Sequence, residues 1–578
     1  MTGHLRPSLP TPPHEIAESA PGARALAPAS AAPPDVLDIL HPDPIARVDV
    51  EALGTSMALA FAGGVAGGLF AEALERATHC ASSWEPRRFA KDLFLDELVD
   101  CCFRVRIRGR QAVVSKPHLL QVLTHPPSDP RITDFRRRIL RELAQSPDYR
   151  RQFESIYETL YRFRVALEGA SVGKRWDANR RQLDVLGIVK ELIDGMADSF
   201  EGARSGLSRL RAFGAAVRAR EAYRSLADLL DFDDDLATVH VKLRVGADGR
   251  IRDFAVLEVR ENEKNAFVTP PLRRWLVRAE LFARGYSFSE GEVMARLLDA
   301  VFEGLQGELA KLVQLLGDME VYLGALGFAD MASAAGLEVC LPELATSRSD
   351  DPRAAERALL GLFNPLLLAA GARVVPCDLV TDRADTTVLI TGPNSGGKTR
   401  VLQSLGIAQL LAQSGLFVPA RVARLSAVPG LVVSLIQETT ADQSEGRLGT
   451  ELVRIRTLFE ELRPASMVVL DELCSGTNPS EGEEIFELVV SVLTRLRPQG
   501  FVTTHFLTFA ARLEHEGTID DLRFVQVELD AEQRPTYQFV PGVARTSLAR
   551  RAASRLGVTR EELVALADES TRRDAGGC

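Results

Sequence analysis

The sequence predicts a multidomain chain of the α and α/β classes: a helical half that carries a small β module, then a P-loop NTPase α/β domain. Three observations predict it. Apolar residues recur in alternating steps of three and four over 186–217 and again over 298–326, the spacing of a helix with one buried stripe. Between these seams the period changes to two, as in a half-buried hairpin. Downstream, Gly392-Pro393-Asn394-Ser395-Gly396-Gly397-Lys398-Thr399 fits G-x-x-x-x-G-K-[ST], the phosphate-cradling loop.

Composition sets the frame. At 578 residues the chain has room for several domains. Hydrophobic content of 46% with 26% charged residues is that of a globular chain. A net charge of −10 and a pI near 5.6 exclude a uniformly basic coat and leave a local basic face open. The seven cysteines show no metal-ligand spacing and are too sparse for a disulfide scaffold, so a reducing, cytoplasmic compartment is expected. No compact apolar run follows a basic start, so no signal peptide is expected.

Residues 1–85 read as a Pro/Ala-rich, disordered N-terminus containing a small-residue apolar stretch. That stretch, 52–71, carries no charge and is long enough to span a bilayer. It is mostly Ala, Gly, Ser and Thr, which favours a helix of a water-soluble protein over an anchor. From about 89 to 167 the pattern is helical and mixed in charge, and Arg136-Arg137-Arg138 read as a solvated helix face rather than a phosphate contact.

The first seam comprises Leu186, Val189, Ile193, Met196, Phe200, Ala203, Leu207, Leu210, Gly214 and Val217, and predicts one long helix. The second comprises Leu298, Phe302, Leu305, Leu309, Leu312, Leu316, Met319, Leu323 and Leu326, with Gly304, Gly307 and Gly317 weakening it. Matching periods suggest an antiparallel pair at a shallow angle. Between them, 238–245 and 251–259 alternate about the turn Ala247-Asp248-Gly249. Around this module lie Lys242, Arg244, Arg250, Arg252, Arg273 and Arg274, diluted by Asp248, Asp253, Glu258, Glu261 and Glu263. Phosphate contact needs the positives on one surface; DNA contact and a solvated surface are both open.

The P-loop residue types suit their chemistry. Glycines let backbone N–H groups approach phosphate oxygens. Lys398 would reach the β- and γ-phosphates, and the Thr399 hydroxyl would hold Mg²⁺. The β-branched run Thr387–Thr391 leads in, and helical composition over 400–414 leads out. Further on, a buried-strand run, 467–470, ends in Asp471-Glu472. Asp471 suits a Mg²⁺ partner and Glu472 an activator of water. The turn 475–479 follows, and the next strand ends at His505, placed to sense a γ-phosphate or orient water.

These motifs, in this order, resemble the ATPase domain of the MutS family, whose P-loop reads G-P-N-x-G-G-K-[ST] and whose Walker B reads D-E, followed by a G-T turn and a closing T-H. Here these are Gly392 to Thr399, Asp471-Glu472, Gly476-Thr477 and Thr504-His505. Gly415-Leu416-Phe417-Val418-Pro419-Ala420, Asn364-Pro365 and Arg534-Pro535-Thr536-Tyr537 agree as well. The resemblance implies a helical core with two lever helices and a β clamp at their tips, followed by an ABC-type P-loop NTPase α/β domain. It divides the chain into the N-terminus, 1–85; core and first lever, 86–235; clamp, 236–285; second lever, 286–336; ATPase, 337–564; and tail, 565–578. It implies ATP and Mg²⁺ as cofactors and a homodimer through the ATPase domain.

Departures from the family pattern qualify what carries over. No N-terminal mismatch-reading domain fits before the core, and the second bacterial class of MutS homologues, which the Walker B region resembles, usually ends in a Smr nuclease domain that this sequence does not show. The family's Ser-Thr-Phe signature, which reaches the partner subunit's nucleotide, is replaced by 442–451; counting back from Glu451 puts Gly446 where the serine should be, with Ser444 a substitute. Cys474 replaces the usual glycine after Walker B. The expected function is an ATP-dependent DNA-binding protein whose hydrolysis in a dimer controls a clamp on duplex, mismatched or branched DNA, in repair or recombination control. The alternatives are an ATPase acting on ribosomes or RNA, and a membrane-tethered ATP switch.

Overall fold

A computed structural model describes residues 36–63, 67–169, 178–235, 238–245, 251–260, 290–345, 356–393, 395–435, 446–474, 478–545 and 558–575. The helical half opens with α1 (Val50–Phe61), α2 (Leu69–Glu75) and α3 (Leu95–Cys102). A short hairpin of β1 (Arg106–Ile107) and β2 (Arg110–Gln111) follows, then α4 (Lys116–Thr124), α5 (Pro130–Gln145) and α6 (Pro147–Glu168). Local sequence sets the starts of α5 and α6. Asp129 and Ser146 are N-caps accepting from Arg131 N–H and Tyr149 N–H, and each helix has proline at its first position, where a missing N–H costs nothing.

Residues 36–85 do not continue the irregular N-terminus expected there. Leu37, Ile39, Leu40, Met57, Phe61, Phe70 and Trp84 are buried in the main core. Composition misled because the burial is half polar. Arg47 pairs with Asp318, Asp38 accepts from Leu40 N–H at 2.7 Å, and Gln314 accepts from Arg47 N–H at 2.7 Å. Buried polar groups are tolerated when they satisfy one another. The small-residue stretch is no single span either. Its helix α1 is 12 residues long, roughly 18 Å against a hydrocarbon layer of about 30 Å, and the chain turns at Gly63 and Gly68, both at positive φ. Phe61 stacks on Phe302 at 4.1 Å.

The first seam forms two helices rather than one: α7 (Ala178–Asp198) and α8 (Ser208–Arg218), followed by α9 (Glu221–Asp235). Phe200 at φ 58° and Gly202 at φ 80° reverse the chain. The heptad phase survives the turn, since Phe200, Leu207, Leu210 and Val217 are all buried. Gly214 lets α8 close onto α7: a Cβ there would stand 2.5 Å from Ala197 N. Next comes an antiparallel hairpin, β3 (Thr238–Val245) with β4 (Ile251–Arg260).

The second seam is one helix of 45 residues, α10 (Glu290–Ala334), roughly 67 Å long. All nine seam residues are buried. It is the one helix among the described residues long and apolar enough to cross a membrane, over Leu297–Ala334, and 89% of its most apolar window is buried inside the protein.

The α/β half holds two sheets. The smaller has the order β5 (Glu343–Ala345), β9 (Val422–Ser426), β6 (Arg357–Leu362), β7 (Cys377–Thr381). The larger has the order β10 (Leu431–Ser434), β11 (Met467–Leu470), β12 (Gln499–Thr503), β8 (Thr387–Thr391), β13 (Leu522–Leu529), β14 (Pro535–Pro541), with only β14 antiparallel. The helices are α11 (Pro365–Ala369), α12 (Lys398–Ser414), α13 (Gly446–Glu461), α14 (Pro479–Arg495), α15 (Leu507–Glu516) and α16 (Arg560–Ala575). Helix α12 is buried on every side from 401 to 414, because the sheet covers one flank and the helical half the other.

Arg136 is neither on a solvated face nor free for phosphate. It is 1% exposed and donates to Leu40 O at 3.1 Å and Ser414 O at 3.3 Å. Arg138 is exposed and pairs with Asp134.

Glu320 of α10 is fully buried; it accepts from Ser115 N–H at 2.8 Å and Tyr157 O–H at 3.2 Å. Burial pushes its carboxyl up to about 7. A carboxyl that binds its proton more tightly when folded loses stability as pH rises from its unfolded value through 7. Glu320→Gln removes that loss while keeping an acceptor for Ser115. Its melting temperature relative to the parent protein should therefore rise between pH 5 and pH 8, by an amount corresponding to roughly 1–3 kcal/mol. An unchanged difference across that range would contradict a raised Glu320.

Candidate nucleotide site

The larger sheet brings the motif residues to one edge. Strand β8 delivers the P-loop, β11 delivers Asp471-Glu472, and β12 runs between them. All three are parallel, so their carboxyl ends share the edge where open α/β sheets bind ligands.

The loop has the backbone of an anion cradle. Gly392 has φ 142°, and a Cβ there would lie 2.7 Å from Val527 Cγ2. Gly397, at φ 86°, caps the start of α12. Both positions need glycine, the first for space and the second for its left-handed φ. The N–H groups of the first turn of α12 face outward, with the positive end of the helix dipole behind them. Lys398 is the first residue of α12 and is 3% exposed. Its Nζ donates to Gly392 O at 3.0 Å and Pro393 O at 3.2 Å, and lies 4.0 Å from Glu472 Oε1. Burial pushes its pKa down, and the Glu472 and Asp471 carboxylates oppose that shift.

Asp471 is the hub. Its Oδ2 accepts from Thr399 Oγ1 at 2.5 Å and its Oδ1 from Thr503 Oγ1 at 2.5 Å. The Thr503 hydroxyl also accepts from Glu472 N–H at 2.8 Å. One residue of β12 thus fixes both acids. Glu472 and Cys474 have φ 46° and 63°; the left-handed turn at 474 is a conformation glycine takes more easily.

Ser395 is exposed at the loop, Gly396 packs against Val527, and Asn394 lies outside the described residues. His505 is exposed two residues beyond β12, its ring 4.1 Å from that of Phe506, and makes no side-chain hydrogen bond among the described residues. Gly446 opens α13, Glu451 lies within that helix, and Ser444 is outside the described residues. Lys242 and Arg244 sit on β3 and Arg252 on β4, while Arg250, Arg273 and Arg274 are outside. The ladder sets Arg244 opposite Asp253 and His240 opposite Glu258, so acidic positions interrupt the basic ones.

Sequence reasoning missed Thr503 and Tyr537. Thr503 read only as a β-branched strand residue. Tyr537 stands at φ 63° on β14, beside a bulge between Val527 and Leu529. Its ring would meet a Cβ at Gly397 at 3.3 Å. It borders a cleft of about 580 Å³ that begins at Gly396 and Gly397 and continues past Phe363, Val374 and Phe539. An apolar cleft opening from a phosphate cradle fits a flat heterocycle.

The donor set also fits a hydrated divalent cation. Among the described residues no group of three or more His, Cys, Asp and Glu converges, and Thr399 with Asp471 supplies the few protein oxygens that Mg²⁺ takes beside phosphates and water.

Residues 388–573 match MutS domain V. Over 242 residues the chain is 35% identical to the endonuclease MutS2 of Thermus thermophilus, covering 42% of this chain and 31% of that protein. Over 280 residues it is 30% identical to the endonuclease MutS2 of Streptococcus gordonii, covering 48% and 34%. The corresponding protein of Gemmatimonas aurantiaca is 36% identical over 213 residues, covering 36% and 25%. The chain thus spans about a third or less of the length of these curated relatives. The likeness to the MutS family thus rests on residues 388–573, which match its domain V, and on partial matches to MutS2 proteins.

Proposed function

We propose that the chain is an ATPase that hydrolyses ATP to ADP and phosphate in a homodimer and uses the cycle to move a clamp on DNA. The observation that carries the reading is the sharing of Asp471 between Thr399 of the P-loop and Thr503 of β12, with Lys398 beside Glu472. Cradle, cation ligands and acid meet at one point.

In this reading Lys398 and the N–H groups at the start of α12 hold the β- and γ-phosphates. Thr399 and Asp471 would hold Mg²⁺, which would supply charge neutralisation on the phosphates. Thr503 keeps Asp471 in place and fixes the backbone of Glu472, whose carboxylate takes a proton from the attacking water. Tyr537 faces the adenine. His505 would sense the γ-phosphate. The 444–451 region, with Ser444, Gly446 and Glu451, would supply the contact to the partner's nucleotide.

Leu452 and Val453 of α13, and Leu563, Val564 and Leu566 of α16, are exposed, and each group is an apolar position that a second ATPase domain would cover. Lys242, Arg244 and Arg252 carry the DNA reading at the β3–β4 hairpin. The membrane-tether alternative loses its anchor, because α1 packs against α10.

Steady-state hydrolysis by the purified chain, alone and with duplex, mismatched and four-way-junction DNA, tests this. Glu472→Gln should keep ATP binding and lose hydrolysis by about 10²–10⁴-fold, whereas Lys398→Met should lose binding. Stimulation by ribosomes and by none of the DNAs would transfer the substrate to RNA. A Glu472→Gln protein as active as the parent would sink the assignment of the base.

Thr503→Ala should cost about 1–2 kcal/mol, since it leaves the part-buried Glu472 N–H without its acceptor, and should lower hydrolysis at saturating ATP. Thr503→Ser should restore both, read by thermal melting and by kcat. Equal kcat for the alanine and parent proteins would show that β12 does not set the acid.

A further inference from the structure

A second basic feature lies in the helical half, far along the sequence from the motifs. The run Arg104-Val105-Arg106-Ile107-Arg108-Gly109-Arg110 alternates arginine with small or apolar residues. It folds as the β1–β2 hairpin, with Arg108 at φ 48° and Gly109 at φ 79° in the turn. Register pairs Ile107 with Arg110 and Arg106 with Gln111, and Ala112 N–H donates to Val105 O at 2.9 Å. Val105 and Ile107 therefore share the face that packs on the core, to which Arg110, paired with Ile107, also belongs, while Arg104 and Arg106 share the other. All four arginines are exposed.

Charge accounting separates this hairpin from an ordinary solvated surface. The acids around it are already engaged. Lys116 takes Asp100 at 2.6 Å and Asp96 at 3.1 Å. Arg150 takes Glu154 at 2.9 Å and also Asp330. Arg108 takes Glu158 at 3.0 Å. Arg104 donates only to the backbone oxygen of Asp100, at 3.1 Å. Among the described residues neither Arg106 nor Arg110 has a carboxylate partner. Three guanidiniums thus stand in excess on a chain whose net charge is −10.

The hairpin is also held hard against α10. A Cβ at Gly327 would stand 2.1 Å from Arg104 O, so only glycine admits this approach. On the far side of the hairpin, Glu320 of α10 accepts from Ser115 N–H. Between hairpin and helix lies a cavity of about 370 Å³, lined by Arg104, Arg106, Arg150, Asp330 and Gly327.

We propose that this arginine hairpin is a phosphodiester-binding surface, gripping a nucleic-acid backbone where β1 and β2 seat on α10. It rests on the nucleic-acid reading above and adds a contact site separate from the β3–β4 hairpin. A nucleic acid suits it better than a small phosphate ligand. Arg104 and Arg106 are exposed on one face of the narrow hairpin and Arg110 on the other, so the three straddle it rather than converge on one pocket, and guanidiniums bind phosphate oxygens in a fixed fork.

The test uses the full chain with Arg104, Arg106 and Arg110 changed together to alanine, and in a second protein to lysine. Binding of fluorescent duplex DNA and single-stranded RNA is followed by anisotropy from 50 to 200 mM KCl. Each phosphate contact adds about 0.9 to the slope of log K against log salt for duplex DNA, and about 0.7 for single strands. The alanine protein should lose two to three such contacts, roughly 1.8–2.7 in slope for duplex, while the lysine protein should keep most of it. Melting temperature and basal ATP hydrolysis, which these residues do not touch, should match the parent. A parent that binds with a slope unchanged by the alanine changes overturns the hairpin alone. A parent that binds neither nucleic acid overturns both the hairpin and the nucleic-acid reading. Displacement by millimolar inorganic phosphate at constant ionic strength would overturn the backbone assignment in favour of a small ligand.

Discussion

The C-terminal end of α12 is the constraint on which the rest of the arrangement hangs. A helix buried on every side leaves its last carbonyls without water, and such groups need partners. Here the partners come from the helical half. Thr133 Oγ1 donates to Gln413 O at 2.8 Å, and Arg136 donates to Ser414 O. Gly415, at φ 80°, closes the helix against Thr133, where a Cβ would stand 2.7 Å from the carbonyl oxygen. A cation at a partly buried helix C-terminus contributes up to about 2 kcal/mol. The other end of α12 begins the phosphate cradle, so Arg136 anchors the cradle to the helical half through roughly 26 Å of rigid helix.

From Arg136 the polar contacts continue. Its Nε donates to Leu40 O, and the segment around Leu40 is tied to α10. Tyr322 O–H donates to Ile39 O, Gln314 bridges Leu37 O and Ile45 O, and Arg47 meets Asp318. The segment at 37–47 is thus a strap between the P-loop helix and the long helix. Removing one member would leave others buried without partners, which costs more than the bond itself. This is why a stretch interrupted by two prolines is ordered at all: satisfied polar groups add to the apolar area of Leu37, Ile39 and Leu40.

That difference explains what was legible in the sequence. The P-loop, the strand before it and the second seam were readable because each follows from local periodicity or a fixed motif. The first seam was readable in its burial and misleading in its shape. Steps of three and four report which residues face the core, and Phe200 and Leu207 keep that phase on either side of a reversal. Nothing in the period marks a non-glycine residue at positive φ. Arg136 shows the same limit for charge: an arginine triplet reads as surface until the carbonyls it meets, at Leu40 and Ser414, are brought from 96 and 278 residues away.

At the site itself the hidden element is the intervening strand. The motifs name β8, β11 and the strand that ends at His505, but only the order β11-β12-β8 puts that strand between the other two. Across that gap Thr399 reaches Asp471 from one side and Thr503 steadies it from the other. The turn after β11 also holds two non-glycine residues, Glu472 and Cys474, in the left-handed region, each costing about 1–3 kcal/mol. Such strain persists only where neighbours over-determine it. The Thr503 hydroxyl supplies one restraint through the Glu472 N–H, and the burial of Cys474 supplies another. The acid beside Lys398 is therefore aimed by its backbone, which a D-E motif in one dimension cannot show.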